Sequence, residues 1–274
     1  MPCLSQSLKK IVCINDLCSI GHISLNVNIP LLSCLGYHVI PIATTTLSRH
    51  TAFSNAKRVD INDSFTAIVE NMIASNDQFD AILVGYLANV GQIDQIIELI
   101  KMQTHAKVII DPVCGDNGKL YKGMDKDYVN GLRKLLPYAN VIIPNLSEAY
   151  ALLDLPLDTP LTHNLISPVV TGLHQLTNAK IIITGIKAHT KVMCLVTDEN
   201  SIQYQANDEI NCYVPGTGDI FASLITGYYL KDYPLSVCVE KAARFIGDAI
   251  KALNDSDYPL LEGIPIEHYL FTLN

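Results

Sequence analysis

Short apolar runs alternate with longer amphipathic segments along almost the whole chain. Six aliphatic runs have the length and composition of buried strands, at residues 11–14, 39–43, 81–84, 108–110, 141–143 and 181–183. Almost every interval between them is long enough for a helix. Near-continuous aliphatic strands separated by helices are typical of a parallel sheet covered on both faces. The pattern therefore predicts an α/β protein with a mostly parallel central sheet between two layers of helices.

Apolar stripes mark two of the covering helices. Ile93, Ile96, Ile97 and Ile100 recur at the spacing of one helical face, and residues 235–253 contain a second stripe of this kind. Both segments are therefore predicted to be helices that pack on the sheet.

One edge of the sheet is predicted to be antiparallel. Residues 192–197 and 201–205 have strand-like patterns and flank the polar residues 198–200, which favours a hairpin. The sequence contains no repeat and no low-complexity linker, and 274 residues with 49% apolar content can form one large core. We therefore expect a single domain over residues 1–274.

Polar residues and glycines follow each predicted strand at its carboxyl end. In open parallel sheets, ligands bind at this edge, where loops and helix N-termini converge. The residues at these positions, in chain order, are Asn15-Asp16, Thr44, Gly85-Tyr86, Asp111, Asn145 and Thr184-Gly185. This edge is therefore where the chemistry is expected.

The motif Gly216-Thr217-Gly218-Asp219 lies between a polar stretch and an apolar segment with helical spacing. The first N–H groups of a helix have no partner within the helix, and the helix dipole is positive there, so the motif predicts an anion site that needs no lysine. Asp219 would then be available as a base. The alternative, common among helices generally, is that the glycines form a turn and Asp219 is a capping or first-turn acid.

Three carboxylates follow the fourth and fifth predicted strands. Asp111 ends an aliphatic run and precedes a proline, which favours an extended exit toward the ligand edge. Asp116 follows in the same Asp-Pro-Val-Cys-Gly-Asp segment, and Glu148 comes three residues after Asn145. Such oxygen ligands suit Mg²⁺, although an acid at a helix start also caps the helix without any metal. Together with the glycine motif, these acids favour phosphoryl transfer from ATP.

Composition narrows the choice of partners. The formal net charge is −8 and the basic residues are scattered, so no nucleic-acid surface is indicated. Eight cysteines form no Cys-x-x-Cys pair, which argues against a zinc site and fits a reducing cytoplasm. The N-terminal apolar run is too short for a signal peptide, and asparagine and proline interrupt the uncharged stretch at 17–48. We therefore expect a cytoplasmic protein that binds small molecules and has no membrane segment.

The three motifs together resemble those of the ribokinase superfamily, and within it the pyridoxal (vitamin B6) kinases, over nearly the whole chain. The family's Gly-x-Gly-Asp, Asp-Pro-Val-x-Gly-Asp and Asn-x-x-Glu motifs are similar to Gly216–Asp219, Asp111–Asp116 and Asn145–Glu148. The B6 branch is indicated by Gly21-His22, by the segment Leu47-Ser48-Arg49-His50-Thr51 and by Gly85-Tyr86-Leu87. The resemblance implies a three-layer αβα ribokinase-like fold and transfer of phosphate from ATP to a hydroxyl.

The resemblance also implies which residues contact the ligands. On the nucleotide side the implied residues are Asn145, Glu148, Thr184, Asp116 and Tyr121, with Asp111 and Glu148 at Mg²⁺. On the substrate side the residues implied to contact the pyridine ring are Asp16, Thr44 and Tyr86. The family pattern usually has serine where this chain has Asp16, so the acid is expected to favour an amine or a protonated ring nitrogen. A monovalent cation such as K⁺ is a further cofactor that the sequence leaves open.

The mechanism implied by the resemblance is direct. Asp219 accepts the proton of the substrate's 5′-hydroxymethyl group while the amides of Gly216, Thr217 and Gly218 hold the γ-phosphoryl group. The product would be the 5′-phosphate of pyridoxal, pyridoxine or pyridoxamine. The loop at 205–215 is expected to cover ATP, and the resemblance implies a homodimer.

Two other functions stay open at this point. A hydroxymethylpyrimidine kinase of thiamine synthesis would share the fold, the anion site and a flat heteroaromatic alcohol as its substrate. A non-catalytic B6-binding protein would keep the fold without turnover, but such a protein has no need of a base at Asp219.

Overall fold

The computed structural model describes residues 7–198, 201–210 and 212–273. Its strands are β1 Lys10–Cys18, β2 His38–Leu47, β3 Arg58–Val59, β4 Ala81–Val84, β5 Lys107–Ile110, β6 Gly115–Asp116, β7 Lys119–Leu120, β8 Val141–Ile142, β9 Lys180–Ala188, β10 Lys191–Asp198 and β11 Ser201–Asp208. Its helices are α1 Leu25–Cys34, α2 Asn62–Ala74, α3 Val90–Lys101, α4 Lys126–Leu135, α5 Leu146–Leu152, α6 His163–Leu176, α7 Thr217–Tyr229 and α8 Leu235–Asn254. Short 3₁₀ turns follow at Leu136–Tyr138, Leu260–Glu262, Ile266–His268 and Leu270–Leu273.

A nine-stranded sheet runs through the molecule in the order β11-β10-β9-β8-β5-β4-β1-β2-β3. Its six central strands, from β9 to β2, pair in parallel, whereas β10, β11 and β3 join at the two edges in antiparallel fashion. Both the α/β class and the antiparallel hairpin are confirmed. Of the predicted turn at 198–200, residues 199 and 200 lie outside the described residues.

Two hydrophobic cores lie on opposite faces of this sheet. Val12 and Ile14 of β1 contribute to one core, which α3, α4, α5 and α6 cover. Ile11 and Cys13 contribute to the other, beneath α1, α7 and α8. Successive residues of a strand point to opposite faces, so a strand that is apolar throughout feeds both cores. The three-layer αβα arrangement follows from this pattern.

Several features near the ligand edge depart from the predicted pattern. Strands β1 and β2 continue past their aliphatic runs, and their pairing shifts register between Asn15 and Leu17. Asn15 pairs with Ala43 and Leu17 with Thr46, so Asp16 alone lies opposite two residues of β2. A bulge of this kind redirects side chains at a sheet edge. Periodicity could not reveal it, because the bulged residues are polar.

The predicted covering loop at 205–215 is too long. Residues 205–208 belong to β11 and pair with β10, while residue 211 lies outside the described residues. The reason is that polar side chains alternate along an exposed edge strand as readily as along a loop. The connection to α7 therefore begins after Asp208.

No helix within the described ranges is long and apolar enough to cross a membrane.

Candidate active site

The glycine motif forms the start of α7, as the apolar spacing predicted. Gly216 is the N-cap residue and adopts a left-handed conformation, with φ 84°. A Cβ added to Gly216 would lie 2.2 Å from the carbonyl oxygen of His22. Only glycine fits both this conformation and this close approach. The backbone of the motif is therefore packed tightly against the Gly21-His22 loop.

Asp219 does not cap its own helix. It lies in the first turn of α7, after the N-cap residue Gly216. Instead, the Asp219 carboxylate accepts hydrogen bonds from the backbone N–H of Ser24 at 2.9 Å and from Asn15 Nδ2 at 2.9 Å. Burial raises the pKa of Asp219, and these two hydrogen bonds partly oppose the increase. Asp219 is thus a first-turn acid, as the alternative predicted, but its carboxylate is hydrogen-bonded by Ser24 and Asn15 rather than capping α7.

Asn15 fixes the orientation of this carboxylate. Its Oδ1 accepts hydrogen bonds from the backbone N–H groups of Asp16 and Tyr86, at 3.0 and 3.1 Å. Its Nδ2 donates to Asp219 Oδ1 and to Asn28 Oδ1, the latter at 3.1 Å. All four hydrogen-bonding positions of the amide are therefore used. Gly85 leaves room for it, since a Cβ there would lie 2.7 Å from Asn15 Nδ2.

Asp111 lies beside the glycine motif at the end of β5. Its Oδ2 is 3.9 Å from the position that a Cβ on Gly218 would take. Burial raises the pKa of Asp111 well above its usual value, and the negative charges of Glu148 and Asp219 raise it further. The structure thus brings together two predicted acids from different motifs, Asp111 and Asp219, at the start of α7.

Glu148 is fully engaged with the backbone. Asn145 and Glu148 form a reciprocal capping box at the start of α5. Glu148 Oε2 accepts from the Asn145 N–H at 2.8 Å, and Oε1 accepts from the Cys114 N–H at 3.1 Å. Burial raises the pKa of Glu148 to about 8, although these hydrogen bonds act in the opposite direction. The prediction that Glu148 caps a helix is therefore confirmed. A metal ion at this carboxylate would have to bind while both hydrogen bonds stay in place.

The small β6–β7 hairpin closes the same region. Asn145 Nδ2 donates to the Gly115 carbonyl at 2.8 Å, which joins the hairpin to α5. Asp116 accepts hydrogen bonds from the backbone and side chain of Asn117, at 2.7 and 2.9 Å. This hairpin was not predicted, because its two-residue strands are too short to show periodicity.

Thr184 and Tyr121 contact residues next to this hairpin. The Thr184 N–H donates to the Pro144 carbonyl at 3.0 Å, and Thr184 forms an isolated bridge with Asn145. Tyr121 donates its backbone N–H to Cys114 and leaves 45% of its surface exposed. Both are near Asn145 and Glu148 along the sheet edge.

The predicted substrate residues border a second part of the edge. Asp16 and Thr44 are buried, and each has one side-chain oxygen without a hydrogen-bond partner among the described residues, Asp16 Oδ2 and Thr44 Oγ1. Asp16 Oδ1 accepts from the Ser24 hydroxyl at 2.6 Å. The half-buried Tyr86 is tied to Asn15 through its backbone. Asn15 therefore links the Asp219 carboxylate to two of the predicted substrate residues.

Four polar residues that no motif singled out support the site: Ser24, Asn28, Arg58 and Gln92. Gln92 is fully buried and donates to the Thr44 carbonyl at 2.9 Å while it accepts from the Ala88 N–H at 2.8 Å. The Arg58 guanidinium lies 6.0 Å from the centre of the Tyr86 ring. One sequence signal could have identified Gln92 as such a residue. It is a polar residue between Gly91 and Ile93, at a position of the predicted helix that faces inward.

The chain is similar to known proteins over most of its length. Residues 31–260 match the phosphomethylpyrimidine kinase family. The chain belongs to this family. A Bacteroides thetaiotaomicron protein, provisionally described as a phosphomethylpyrimidine kinase and crystallised with pyridoxal, is 34% identical with a TM-score of 0.92, covering 97% of this chain and 96% of that one.

Other similar proteins are pyridoxal kinases. Pyridoxal kinase from Lactobacillus plantarum is 29% identical, with a TM-score of 0.91 and 97% coverage of both chains. Pyridoxal kinase from Arabidopsis thaliana is 27% identical over 81% of this chain and 74% of its own length. The resemblance to pyridoxal kinases and the ribokinase-like fold are thus confirmed.

Proposed function

We propose that this protein transfers the γ-phosphoryl group of ATP to the 5′-hydroxymethyl group of a B6 vitamer. The observation that supports it most is the Asp219 carboxylate, which lies in the first turn of α7 without capping that helix. Such an acid beside a helix N-terminus combines a proton acceptor with an anion site. The kinship with pyridoxal kinases supports the choice of a B6 vitamer as the alcohol.

The start of α7 is proposed to hold the transferring phosphoryl group. The amides of Gly216, Thr217 and Gly218 are the first N–H groups of the helix, and Gly218 is exposed. Preorganised donors of this kind stabilise the charge that develops on the phosphoryl oxygens in the transition state. Rigid packing of Gly216 against His22 keeps these donors in place.

Asp219 is proposed as the general base. Its two hydrogen bonds come from Ser24 and Asn15, which aim the carboxylate and stabilise its ionised form. Its burial raises its pKa, which makes it a better proton acceptor than an exposed aspartate. It would take the proton from the hydroxymethyl oxygen as that oxygen attacks the γ-phosphorus and the bond to the β-phosphate oxygen breaks.

The acids at the end of β5 and the start of α5 fit a magnesium ion. Negative charge from Glu148 and Asp219 surrounds Asp111, so a cation there would relieve repulsion. Within the described ranges, no group of three or more His, Cys, Asp or Glu is arranged to hold a metal by itself. Mg²⁺ commonly takes one or two carboxylates together with phosphates and water. We propose Asp111 as its direct ligand and Glu148 as a water-mediated one, with the ion neutralising charge on the β- and γ-phosphates.

The remaining predicted residues are proposed to position the two substrates. Asn145, Thr184, Asp116 and Tyr121 adjoin the acids and would face the nucleotide. The substrate residues Asp16, Thr44 and Tyr86 would face the pyridine ring. The unpartnered oxygens of the first two support this assignment, because buried polar atoms are usually hydrogen-bonded.

The function is tested by ATP consumption with pyridoxal, pyridoxine, pyridoxamine and hydroxymethylpyrimidine, each supplied with Mg²⁺. We expect phosphorylation of at least one B6 vitamer, and a loss of about 10²–10⁴-fold in kcat for Asp219→Asn. The control is Asp127→Asn, which changes an exposed first-turn acid of α4 and should leave kcat intact. Near-normal turnover by Asp219→Asn with intact nucleotide binding would refute the role of the base.

The same assay decides between the alternative functions. The family description favours a pyrimidine kinase as the second candidate, and phosphorylation of hydroxymethylpyrimidine alone would assign the protein to that activity. Binding of a vitamer without turnover on any of the four alcohols would instead indicate a B6-binding protein.

We also propose that the chain is a single cytoplasmic domain that forms a homodimer. Exposed apolar side chains at the ends of β1 and β3 support an interface, with Leu17 38% and Val59 57% exposed. Both pair with Thr46 of β2, so they lie in one row across the sheet. Sedimentation velocity would measure the oligomeric state.

A further inference from the structure

A segment near residue 260 packs against the loop beneath the proposed anion site. Residues 259–268, the C-terminal strap, contain the 3₁₀ turns Leu260–Glu262 and Ile266–His268. Ile264 and Ile266 anchor the strap, since both are fully buried in the core beneath α1, α7 and α8. The family match ends at residue 260, so membership of the family assigns no role to most of the strap.

The strap pairs with the Gly21-His22 loop through the backbone. The His22 N–H donates to the Glu262 carbonyl at 2.7 Å, and His22 forms an isolated parallel bridge with Gly263. Gly263 has φ 82°, and a Cβ there would lie 2.8 Å from the His22 carbonyl oxygen and 3.1 Å from that of Pro215. Pro215 directly precedes Gly216. The strap, the loop and the start of the glycine motif therefore meet at one point.

The His22 side chain adds a second connection to the strap. Its Nε2 lies 3.1 Å from Glu267 Oε2, and its Nδ1 lies 3.1 Å from the Glu262 carbonyl oxygen and 3.4 Å from the Tyr258 hydroxyl. Carboxylate and carbonyl oxygens only accept hydrogen bonds, so a ring protonated on both nitrogens donates to both. Hydrogen bonds from such a charged ring are stronger than those between neutral groups. His22 is thus bound to the strap through its backbone and through both ring nitrogens.

The strap also contacts the segment that follows β2. His50 is only 5% exposed, and its Nε2–H donates to the Leu261 carbonyl. Its Nδ1 accepts from the Ala52 N–H at 3.3 Å, so the neutral ring has a partner on each nitrogen. The neighbouring carbonyls of Leu261 and Glu262 therefore bind two histidines, one from the loop after β1 and one from the segment after β2. The strap links these two parts of the chain.

The loop at 22–24 in turn sets the geometry of α7. A Cβ on Gly216 would lie 2.9 Å from Ile23 Cγ2, so the loop supports the first amides of the helix. The next residue, Ser24, donates its backbone N–H to Asp219 at 2.9 Å. Adjacent residues thus hold both the amides proposed to bind the phosphoryl group and the proposed base. A displacement of this loop would move both together.

We infer that His22 and Glu267 are positioning residues for phosphoryl transfer. The Glu267 carboxylate holds the His22 ring against the strap, and the loop at 22–24 then holds the amides of α7 and the Asp219 carboxylate. Both residues act through others rather than on the reacting atoms. The inference rests on the proposed function, because it assumes that the start of α7 binds the γ-phosphoryl group.

The experiment compares the wild-type protein with Glu267→Ala, Glu267→Gln and His22→Ala. Dissociation constants of ADP and of the ATP analogue AMP-PCP are measured by calorimetry with Mg²⁺, and kcat and KM are measured with ATP and a B6 vitamer. Only AMP-PCP carries a γ-phosphoryl group, so the ratio of the two affinities measures binding at the anion site. An exposed ion pair contributes little to stability, and the Glu267 side chain is 64% exposed, so its variants should fold.

Glu267→Ala should lower kcat by about 10-fold, because small displacements of catalytic groups lower the rate strongly. It should also weaken the binding of AMP-PCP while the affinity for ADP and the KM for the vitamer stay unchanged. Glu267→Gln retains an acceptor oxygen, so its losses should be smaller. His22→Ala should lose at least as much as Glu267→Ala, and combining the two should cause no further loss, because the two side chains act as a pair.

The matched control is Glu98→Ala. The Glu98 side chain is 63% exposed, and its Oε1 lies 2.7 Å from Lys101 Nζ on α3. It therefore matches Glu267 in exposure and in its contact with a basic side chain. Its substitution should leave kcat and both nucleotide affinities unchanged. Thermal unfolding of every variant shows whether the fold is retained.

A lower kcat together with weaker binding of AMP-PCP alone supports the inference. A folded Glu267→Ala variant with wild-type kcat and an unchanged affinity ratio would overturn it. An equal loss of affinity for ADP and AMP-PCP would also overturn it, because the substitution would then disturb the nucleotide site as a whole.

The proposed function can fail separately. If the wild type phosphorylates none of the alcohols but the affinity ratio still falls in Glu267→Ala, the choice of substrate is wrong and the positioning role at the anion site stands. If the wild type binds neither nucleotide, both proposals are wrong.

Discussion

Asn15 determines how the proposed base is oriented, since its amide uses every hydrogen-bonding position in one arrangement. The two backbone N–H groups at Oδ1 leave only Nδ2 to face Asp219. Replacing Asn15 by aspartate keeps the shape but places a second carboxylate against Asp219. A like charge disfavours ionisation, so the pKa of Asp219 should increase.

Asn15→Asp is therefore expected to move the acidic limb of the kcat/KM profile to higher pH, by about one unit or more. The profile is measured with saturating ATP and a limiting B6 vitamer. Asn15 would be a positioning residue, because it contacts the base and not the reacting atoms. A lower kcat with an unmoved limb would show that the substitution disturbs packing alone.

The sequence predicted individual site residues only where they belong to a local motif. Asp219 and Gly216 were identifiable because helix starts and glycine turns depend on neighbours in the sequence. The partners of Asp219 were not, since Asn15 and Ser24 are about two hundred residues away along the chain. Hydrogen bonds of such separation are set by the sheet order, which no local pattern encodes.

At the scale of elements, the start of α7 depends on how closely it approaches the Gly21-His22 loop. Gly216→Ala would combine left-handed strain with a contact of 2.2 Å to the His22 carbonyl. Gly36 is a matched control, because it also has a positive φ of 94° but nothing lies within 4 Å of its Cβ position. Strain alone costs about 1–3 kcal/mol, so Gly216→Ala should cost more than Gly36→Ala.

The two alanine variants are compared by urea unfolding. We expect a larger loss of unfolding free energy for Gly216→Ala, and a weaker affinity for ATP in that variant alone. Equal losses in both would mean that the His22 loop moves aside freely, which would contradict the rigid anion site proposed for α7.

Whole elements were predicted better than their ends. Aliphatic runs reveal the centres of strands, because a strand buried on both faces needs apolar side chains on both. The ends of β1 and β2 were missed, because these strands continue through polar residues and a bulge. The capping box of α5 was readable from Asn145 and Glu148 because its partners are three residues apart. The hairpin β6–β7 and the strand β3 could not be predicted, because a strand of two residues is too short to show an alternating pattern.

At the scale of the molecule, one edge of the sheet concentrates acids from four separate segments, of which Asp16 and Glu148 are buried and Asp111 and Asp219 are partly buried. Their pKa values are raised above the ordinary range, to about 6 for Asp16 and about 8 for Glu148. A carboxyl group with a higher pKa in the folded state stabilises the fold when protonated, and that contribution is lost as pH rises from about 4 through the folded-state pKa. The apo protein should therefore lose stability between about pH 4 and pH 8.

Asp111→Asn tests this link between site and stability. Burial and the charges of Glu148 and Asp219 raise the pKa of Asp111, so its ionised form opposes folding. Removing that charge should increase the unfolding free energy relative to wild type. The increase should be larger at pH 8 than at pH 5, by about 1 kcal/mol or more. Urea unfolding without nucleotide measures the difference, with exposed Asp127→Asn as the control. Kinase turnover should fall in the same variant, because Asp111 is the proposed direct ligand of Mg²⁺. Higher stability with lower activity is the trade-off expected of an acid that serves function. A stability difference that does not vary with pH would instead mean that Asp111 adds no unfavourable charge to the site.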